Sequence, residues 1–253
     1  MYFAGVPVVV RRWMSLSRTW GRKRFYKNAL AQKSEDGYSV HLDHRSLRTP
    51  LRKPFVVPTE GLAVAVAQEW GVQGTIIQQP LMHLTALCNT VIDQPTNRPK
   101  DEVIGHILSS LSTDTLCYHA DEPDDLVLMQ QREWGPILEW FNGRFNLALS
   151  STTSLFQLSS VDQKSLKPLA TYLSQLSPWA LTGLEHCVDC SKSVVLSVAL
   201  FEGRLDAEEA ANLALLETRH QTQRWGSVEW QHDIEAQDLK SRMAATQLVA
   251  SLS

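Results

Sequence analysis

The chain has 253 residues, 43% of them hydrophobic and 20% charged, with a formal net charge of −3. That balance supports one large core or two modest ones and excludes a disordered, collagenous or low-complexity chain. The longest apolar runs, Gly61 to Ala67 and Val194 to Phe201, fall well short of the ~20 residues a bilayer span needs, so no stable membrane insertion is expected.

Charge is unevenly spread along the N-terminal segment. No acid precedes Glu35, whereas Arg11, Arg12, Arg18, Arg22, Lys23, Arg24, Lys27 and Lys33 do, interleaved with Ser15, Ser17 and Thr19. An Arg-rich, hydroxyl-containing, acid-free stretch is the composition of a mitochondrial transit peptide. Such a basic amphipathic helix is drawn to anionic surfaces and driven inward by the membrane potential. A secretory signal would place its arginines before the apolar core. Here they follow Val6 to Val10, which Pro7 interrupts. Residues 1–23 are therefore read as a leader. Removing the chain through Arg24 takes six of the 24 basic residues and none of the 27 acids, shifting the net charge from −3 to −9. An acidic mature chain argues against nucleic acid as a partner. Four scattered cysteines and the lack of any N-x-S/T acceptor fit a reducing interior compartment.

From Arg24 to Pro58 the sequence reads as short strands and turns. Phe25 to Ala31 leads into a Ser34-Glu35-Asp36-Gly37 turn, Tyr38 to Leu42 alternates, and Asp43-His44-Arg45 turns again. Phe55 to Val57, between Pro54 and Pro58, has the form of an edge strand. Thr59 then caps a helix over Glu60 to Trp70, with Leu62, Val66 and Trp70 on one stripe. Helices are predicted over Leu81 to Ile92 and from Pro99 through Leu111, with a returning strand at Thr115 to His119. Beyond the acidic Asp121 to Asp125 stretch the pattern is helical over Leu126 to Asn146, Val161 to Gln175, Trp179 to Phe201, and Asp206 onward. The predicted fold class is α+β: an N-terminal β-meander with helices over 24–122, followed by an all-helical domain over 123–253.

Short catalytic signatures for phosphate, dinucleotide, hydrolase and zinc chemistry are absent, so no catalytic residue, cofactor or metal is assigned. His186-Cys187-Val188-Asp189-Cys190 holds a C-x-x-C, but a structural zinc site needs a second ligand pair at related spacing; two small residues on a helix or its end is the plainer reading. His41-Leu42-Asp43-His44 reads as a strand end and its turn, and His232-Asp233 as a solvated stretch. Trp70, Trp134, Trp140, Trp179, Trp225 and Trp230 sit among helices, where a buried ring is core and a partly exposed one anchors an interface. On the helix from Asp206 to Trp225, Leu213, Glu217, Gln221 and Arg224 lie close to one stripe beside Leu216 and His220. Glu217 thus adjoins an otherwise apolar face. Either it is a boundary carboxylate pairing along the helix, or it is a polar anchor inside a protein-binding surface.

Several stretches together resemble one family. They are Arg24-Phe25-Tyr26-Lys27, Leu42 through Pro50, Ala67-Gln68-Glu69-Trp70, Met82 through Thr90, and Asp114-x-Leu116-x-Tyr118. Gln131-x-x-Trp134-x-Pro136 and the block from Leu216-Glu217 through Gln223-x-Trp225-Gly226 to Glu235 complete the set. In order and spacing they are similar to the mitochondrial ATP synthase assembly factor 2 family, chaperones of the alpha subunit of the catalytic head. The resemblance implies a soluble matrix protein, associated with the inner membrane at most, that binds the unassembled alpha subunit without catalysis until the beta subunit replaces it. It implies functional roles for Glu217, Trp70 and Trp225, with Gln221 on the same stripe as Glu217. The alternatives are a matrix enzyme built around Asp43, His83 and Glu217, and a structural subunit of an inner-membrane complex.

Overall fold

The computed structural model describes residues 21–94, 96–154, 164–226 and 231–253. The leader up to residue 20, the start of the helix expected from Val161, and Trp230 lie outside the described residues.

Strand β1 (Arg22–Lys23) pairs antiparallel with β6 (Ile76–Ile77). β2 (Ala29–Ser34) and β3 (Gly37–Leu42) form a hairpin across Glu35-Asp36, registered Ala29 to Leu42 and Ser34 to Gly37. β4 (Arg45–Ser46) and β5 (Val56–Val57) share the other edge of β3. Pro54 and Pro58 suit that position, because proline has no N–H to give a ladder. Val40, Leu42 and Val57 are buried in one cluster with Leu62, Val66 and Trp70 of α1 (Glu60–Gly71), which lies across the sheet. Thr59 caps α1 as expected, its hydroxyl accepting from the Leu62 N–H and donating to the carbonyl of Leu252 near the C-terminus.

Gly37 closes the hairpin at φ +142°, and a Cβ there would sit 2.5 Å from the Val57 carbonyl oxygen. Gly37→Ala is therefore expected to cost about 1–3 kcal/mol through backbone strain. Thermal denaturation checks this: a melting temperature equal to wild type would contradict it.

The rest is helical: α2 (His83–Asp93), α3 (Lys100–Ser110), α4 (Asp124–Phe145), α5 (Lys167–Gln175), α6 (Pro178–Ser191), α7 (Val194–Phe201), α8 (Ala207–Ala214), α9 (Leu216–Trp225) and α10 (Gln231–Leu252). The α+β architecture is the one expected. A second, larger core gathers Ile104, Trp134, Phe141, Leu184 and Leu196. α10 bridges the two cores, giving Leu239 and Met243 to the larger and Ala245 and Val249 to the smaller. α3 contributes Ile104 and Ile107 to the larger cluster, and α2 contributes Leu84, Leu87 and Cys88 to the smaller.

Three local expectations are corrected. Thr115 to His119 is not a strand: Thr115–Cys117 is a 3-10 turn, and only Tyr118 bridges to Thr152. The turn forms because Asp114 caps it, its carboxylate accepting from the Leu116 N–H. Trp179 to Phe201 is two helices, parted where Lys192 takes a left-handed conformation and the Ser193 hydroxyl accepts from the Leu196 N–H to start α7. The helix from Asp206 also divides, since Leu215 leaves helical geometry at φ −99°, ψ 18°. His186 to Cys190 does lie along a helix, α6, where the Cys190 thiol contacts the Cys187 carbonyl at 3.3 Å.

Candidate functional site

α9 is positioned from three directions. Ahead of it, Asp206 and Glu209 form a reciprocal capping box that begins α8, satisfying two N–H groups the first turn of that helix would otherwise leave open. The indole N–H of fully buried Trp134 in α4 donates to the Leu213 carbonyl at 2.9 Å, pinning the α8–α9 junction. Leu216, with no exposure, then anchors the first turn of α9 in the larger core.

Along α9 the inward face meets α4. His220, nearly buried, places Nε2 3.0 Å from Oδ2 of Asp125, and that contact holds the Asp125 carboxyl below its usual range. Arg219 pairs with Glu133. Burial would raise the Glu133 pKa, but hydrogen bonds from Arg132 and Arg219 outweigh it and lower it.

Glu217 lies on the outward side and is exposed. Its Oε1 accepts from Nε2 of Gln130 at 2.8 Å, while Gln130 Oε1 accepts from the Ala120 N–H at 2.8 Å. Gln130 has no exposed surface. Its amide is held at both ends and fixes one carboxylate oxygen of Glu217. The setting is more polar than the helical periodicity implied, because one oxygen of Glu217 pairs with the buried Gln130 amide of α4.

Glu217, Gln221 and Trp225 follow one another at four-residue spacing and are all exposed. At 1.5 Å per residue they form one stripe ~12 Å long. Trp225 is 75% exposed, with the Arg224 guanidinium 5.6 Å from its ring centre. The stripe thus presents a carboxylate, an amide and a large aromatic side by side, of which the exposed tryptophan is the residue type that anchors interfaces.

Trp70 does not belong to this face. It is 8% exposed in the smaller core, its ring 5.8 Å from that of Tyr26, whose hydroxyl donates to the Trp70 carbonyl at 2.8 Å. Asp43, His83 and Glu217 do not converge either. Asp43 accepts from the N–H groups of Lys27 and Asn28, His83 contacts Asp238 at 3.3 Å, and Glu217 pairs with Gln130.

Comparison with known proteins decides the family. The chain is 30% identical over 238 residues to the protein named atp12, mitochondrial, of Schizosaccharomyces pombe, covering 90% of this chain and 82% of the relative. Residues 23–142 match the family described as ATP12 chaperone protein. The chain belongs to the ATP12 chaperone family. Protein ATP12, mitochondrial, of Saccharomyces cerevisiae is 27% identical, over 93% of this chain and 85% of its own. Atp12 from Paracoccus denitrificans has a similar structure, with a TM-score of 0.78 and 31% identity, covering 91% of this chain and 97% of that one. A protein of Agrobacterium tumefaciens aligns at TM-score 0.83 and 29% identity, over 99% and 93% of the two chains. The family that the sequence resembled is the family to which this ATP12-type chain belongs.

One residue the sequence reading passed over is Gln130, the fixed point of Glu217. Its signal was present: it stands between Leu126 and Trp134 on the buried stripe of α4, and an amide at a core position must find partners.

Proposed function

We propose that this chain is an assembly chaperone of the mitochondrial ATP synthase that binds the unassembled alpha subunit in the matrix, without catalysis. The exposed Glu217–Gln221–Trp225 stripe carries this reading. α9 commits its inner face to α4 and leaves a mixed polar and aromatic face outward. An isolated subunit exposes the apolar surface its true partner will cover, and such surface aggregates. A chaperone must cover it over ~1,200–2,000 Å² for a standard-size contact yet let go when that partner arrives. A rim of exposed polar groups around an aromatic anchor suits reversible binding.

The test is light scattering of purified alpha subunit diluted from denaturant. Stoichiometric amounts of this chain should suppress scattering by the alpha subunit and leave the beta subunit unprotected. Equal protection of both subunits, or of neither, would refute the reading.

The chain's own contacts support a leader that ends before Gly21. Arg22–Lys23 are already paired with Ile77 and Ile76, and the Arg24 guanidinium donates to the carbonyls of Tyr26, Lys27, Gly71 and Gln73. Cleavage beyond Arg24 would remove these contacts. N-terminal mass spectrometry of the protein recovered from mitochondria should find a first residue no later than Gly21; a start at Arg22 or later would contradict this placement.

A further inference from the structure

On the smaller core, remote from the contacts of α9, lies a groove that nothing above uses. It holds about 680 Å³ and is walled by β1, by β4 with the turn that follows it, and by the start of α2. Trp70, Ile77, Leu47 and Met82, all buried, form its apolar side, and Phe25 stands at its rim, 44% exposed. Arg22, Arg45 and Arg48 line it, and no Asp or Glu does.

Those arginines carry unneutralised charge. None forms an ion pair among the described residues. Arg22 lies over the Phe25 ring at 4.7 Å, and Arg48 donates to the Arg52 carbonyl at 3.2 Å. Of the neighbouring acids, Asp93 accepts from the Leu51 N–H through Oδ2 and keeps a buried Oδ1 without a hydrogen-bond partner among the described residues. Asp43 accepts from the backbone of Lys27 and Asn28, and Glu69 accepts from the N–H groups of Leu84 and Thr85 and the Thr85 hydroxyl. Behind the lining, Trp70 Nε1 and Asn89 Oδ1 are buried without hydrogen-bond partners among the described residues. A recess with an apolar floor, a cationic rim and no carboxylate of its own attracts carboxylates and holds them through guanidinium forks.

We propose that this groove docks an acidic, extended segment of a partner protein. Its carboxylates would sit on Arg45 and Arg48, and an apolar side chain would lie on the Trp70–Met82 floor. The chain's own N-terminal segment, with Arg11, Arg12 and Arg18 and no acid before Glu35, has the wrong charge to occupy it. Only the identity of the partner rests on the chaperone reading; the charge and shape of the groove do not. The lining also draws on four of the stretches that carry the family resemblance, around Phe25, Arg45, Trp70 and Met82.

Fluorescence anisotropy of the full chain with two labelled short peptides tests the proposal, one alternating glutamate with leucine and one alternating lysine with leucine. The glutamate peptide should bind at least about tenfold more tightly, and weaken with salt. The Arg45→Glu/Arg48→Glu double variant should lose it about tenfold or more, with Arg45→Gln/Arg48→Gln as the milder form if the first does not fold. Equal affinity for both peptides, or a folded double variant that binds like wild type, would overturn the proposal. Binding of the glutamate peptide without any binding of isolated alpha subunit would sink the client reading and leave the groove standing; the reverse would sink the groove alone.

Discussion

An Asp114→Ala chain is expected to lose about 3–5 kcal/mol of stability, since each buried donor left unmet costs about 1–3 kcal/mol, and to melt roughly 10 °C lower. Asp114 has no exposed surface. Its Oδ1 accepts from the Leu116 N–H at 3.0 Å and the Ser193 hydroxyl at 2.7 Å, and its Oδ2 from the Val195 N–H at 3.0 Å. One carboxylate therefore joins the turn after α3 to the first turn of α7. Alanine would strand two N–H groups and a hydroxyl in the core, and unmet buried donors cost more than the bonds themselves contributed. Asp114→Asn keeps one acceptor and should recover part of the loss.

The pH dependence follows from the same site. Burial outweighs the donors and raises the Asp114 pKa. A carboxyl raised on folding contributes fully below its unfolded value near ~3.9, and that contribution is lost as pH rises through the folded value. The gap between wild type and Asp114→Ala should accordingly widen as the solution is made acidic. Calorimetry at several pH values measures it; a variant as stable as wild type at every pH would remove Asp114 from the account of the fold.

Glu217→Lys should act in the opposite way, sparing the fold and removing the function. Glu217 is exposed, and its one interior contact is the bond from Gln130. Losing that bond leaves the buried Gln130 N–H unmet, which costs about 1–3 kcal/mol, so the melting temperature should fall by several degrees while the chain stays folded. Reversing the charge at the centre of the stripe should weaken binding of the isolated alpha subunit by about a hundredfold, the order seen when a hydrogen-bonded interfacial charge is disrupted. Titration calorimetry with the alpha subunit, paired with a thermal melt of the variant, separates the two effects. Wild-type affinity in the variant would move the client surface away from α9.

Local chemistry made much of the fold legible. Thr59, Pro99 and Asp206 mark helix starts that the structure shows, because caps depend on residues three or four positions apart. The hairpin at Glu35-Asp36 was visible for the same reason. What escaped the sequence was settled by partners far along the chain. Lys192 and Ser193 end one helix and start another in a region held by Asp114, 79 residues away from Ser193. Leu215 interrupts the helix that periodicity drew straight through it.

The candidate site divides along the same line. Glu217, Gln221 and Trp225 share a stripe because helical spacing alone puts them there, and sequence could find that. Gln130 reaches Glu217 across 87 residues, which no local pattern records. Trp70 looked equivalent to Trp225 as a tryptophan on a helix, yet one is packed under the sheet and the other stands in solvent. The arginines of the groove come from β1, β4 and the turn after β4, and they meet only after the strands pair.

The most direct test of the central claim is a co-expression pull-down of the chain against alpha and beta subunits supplied separately, in wild-type and Glu217→Lys forms. The account predicts that wild type recovers soluble alpha subunit and not beta, and that Glu217→Lys, folded, recovers neither. Capture of alpha and beta alike, or of neither by folded wild type, would contradict it.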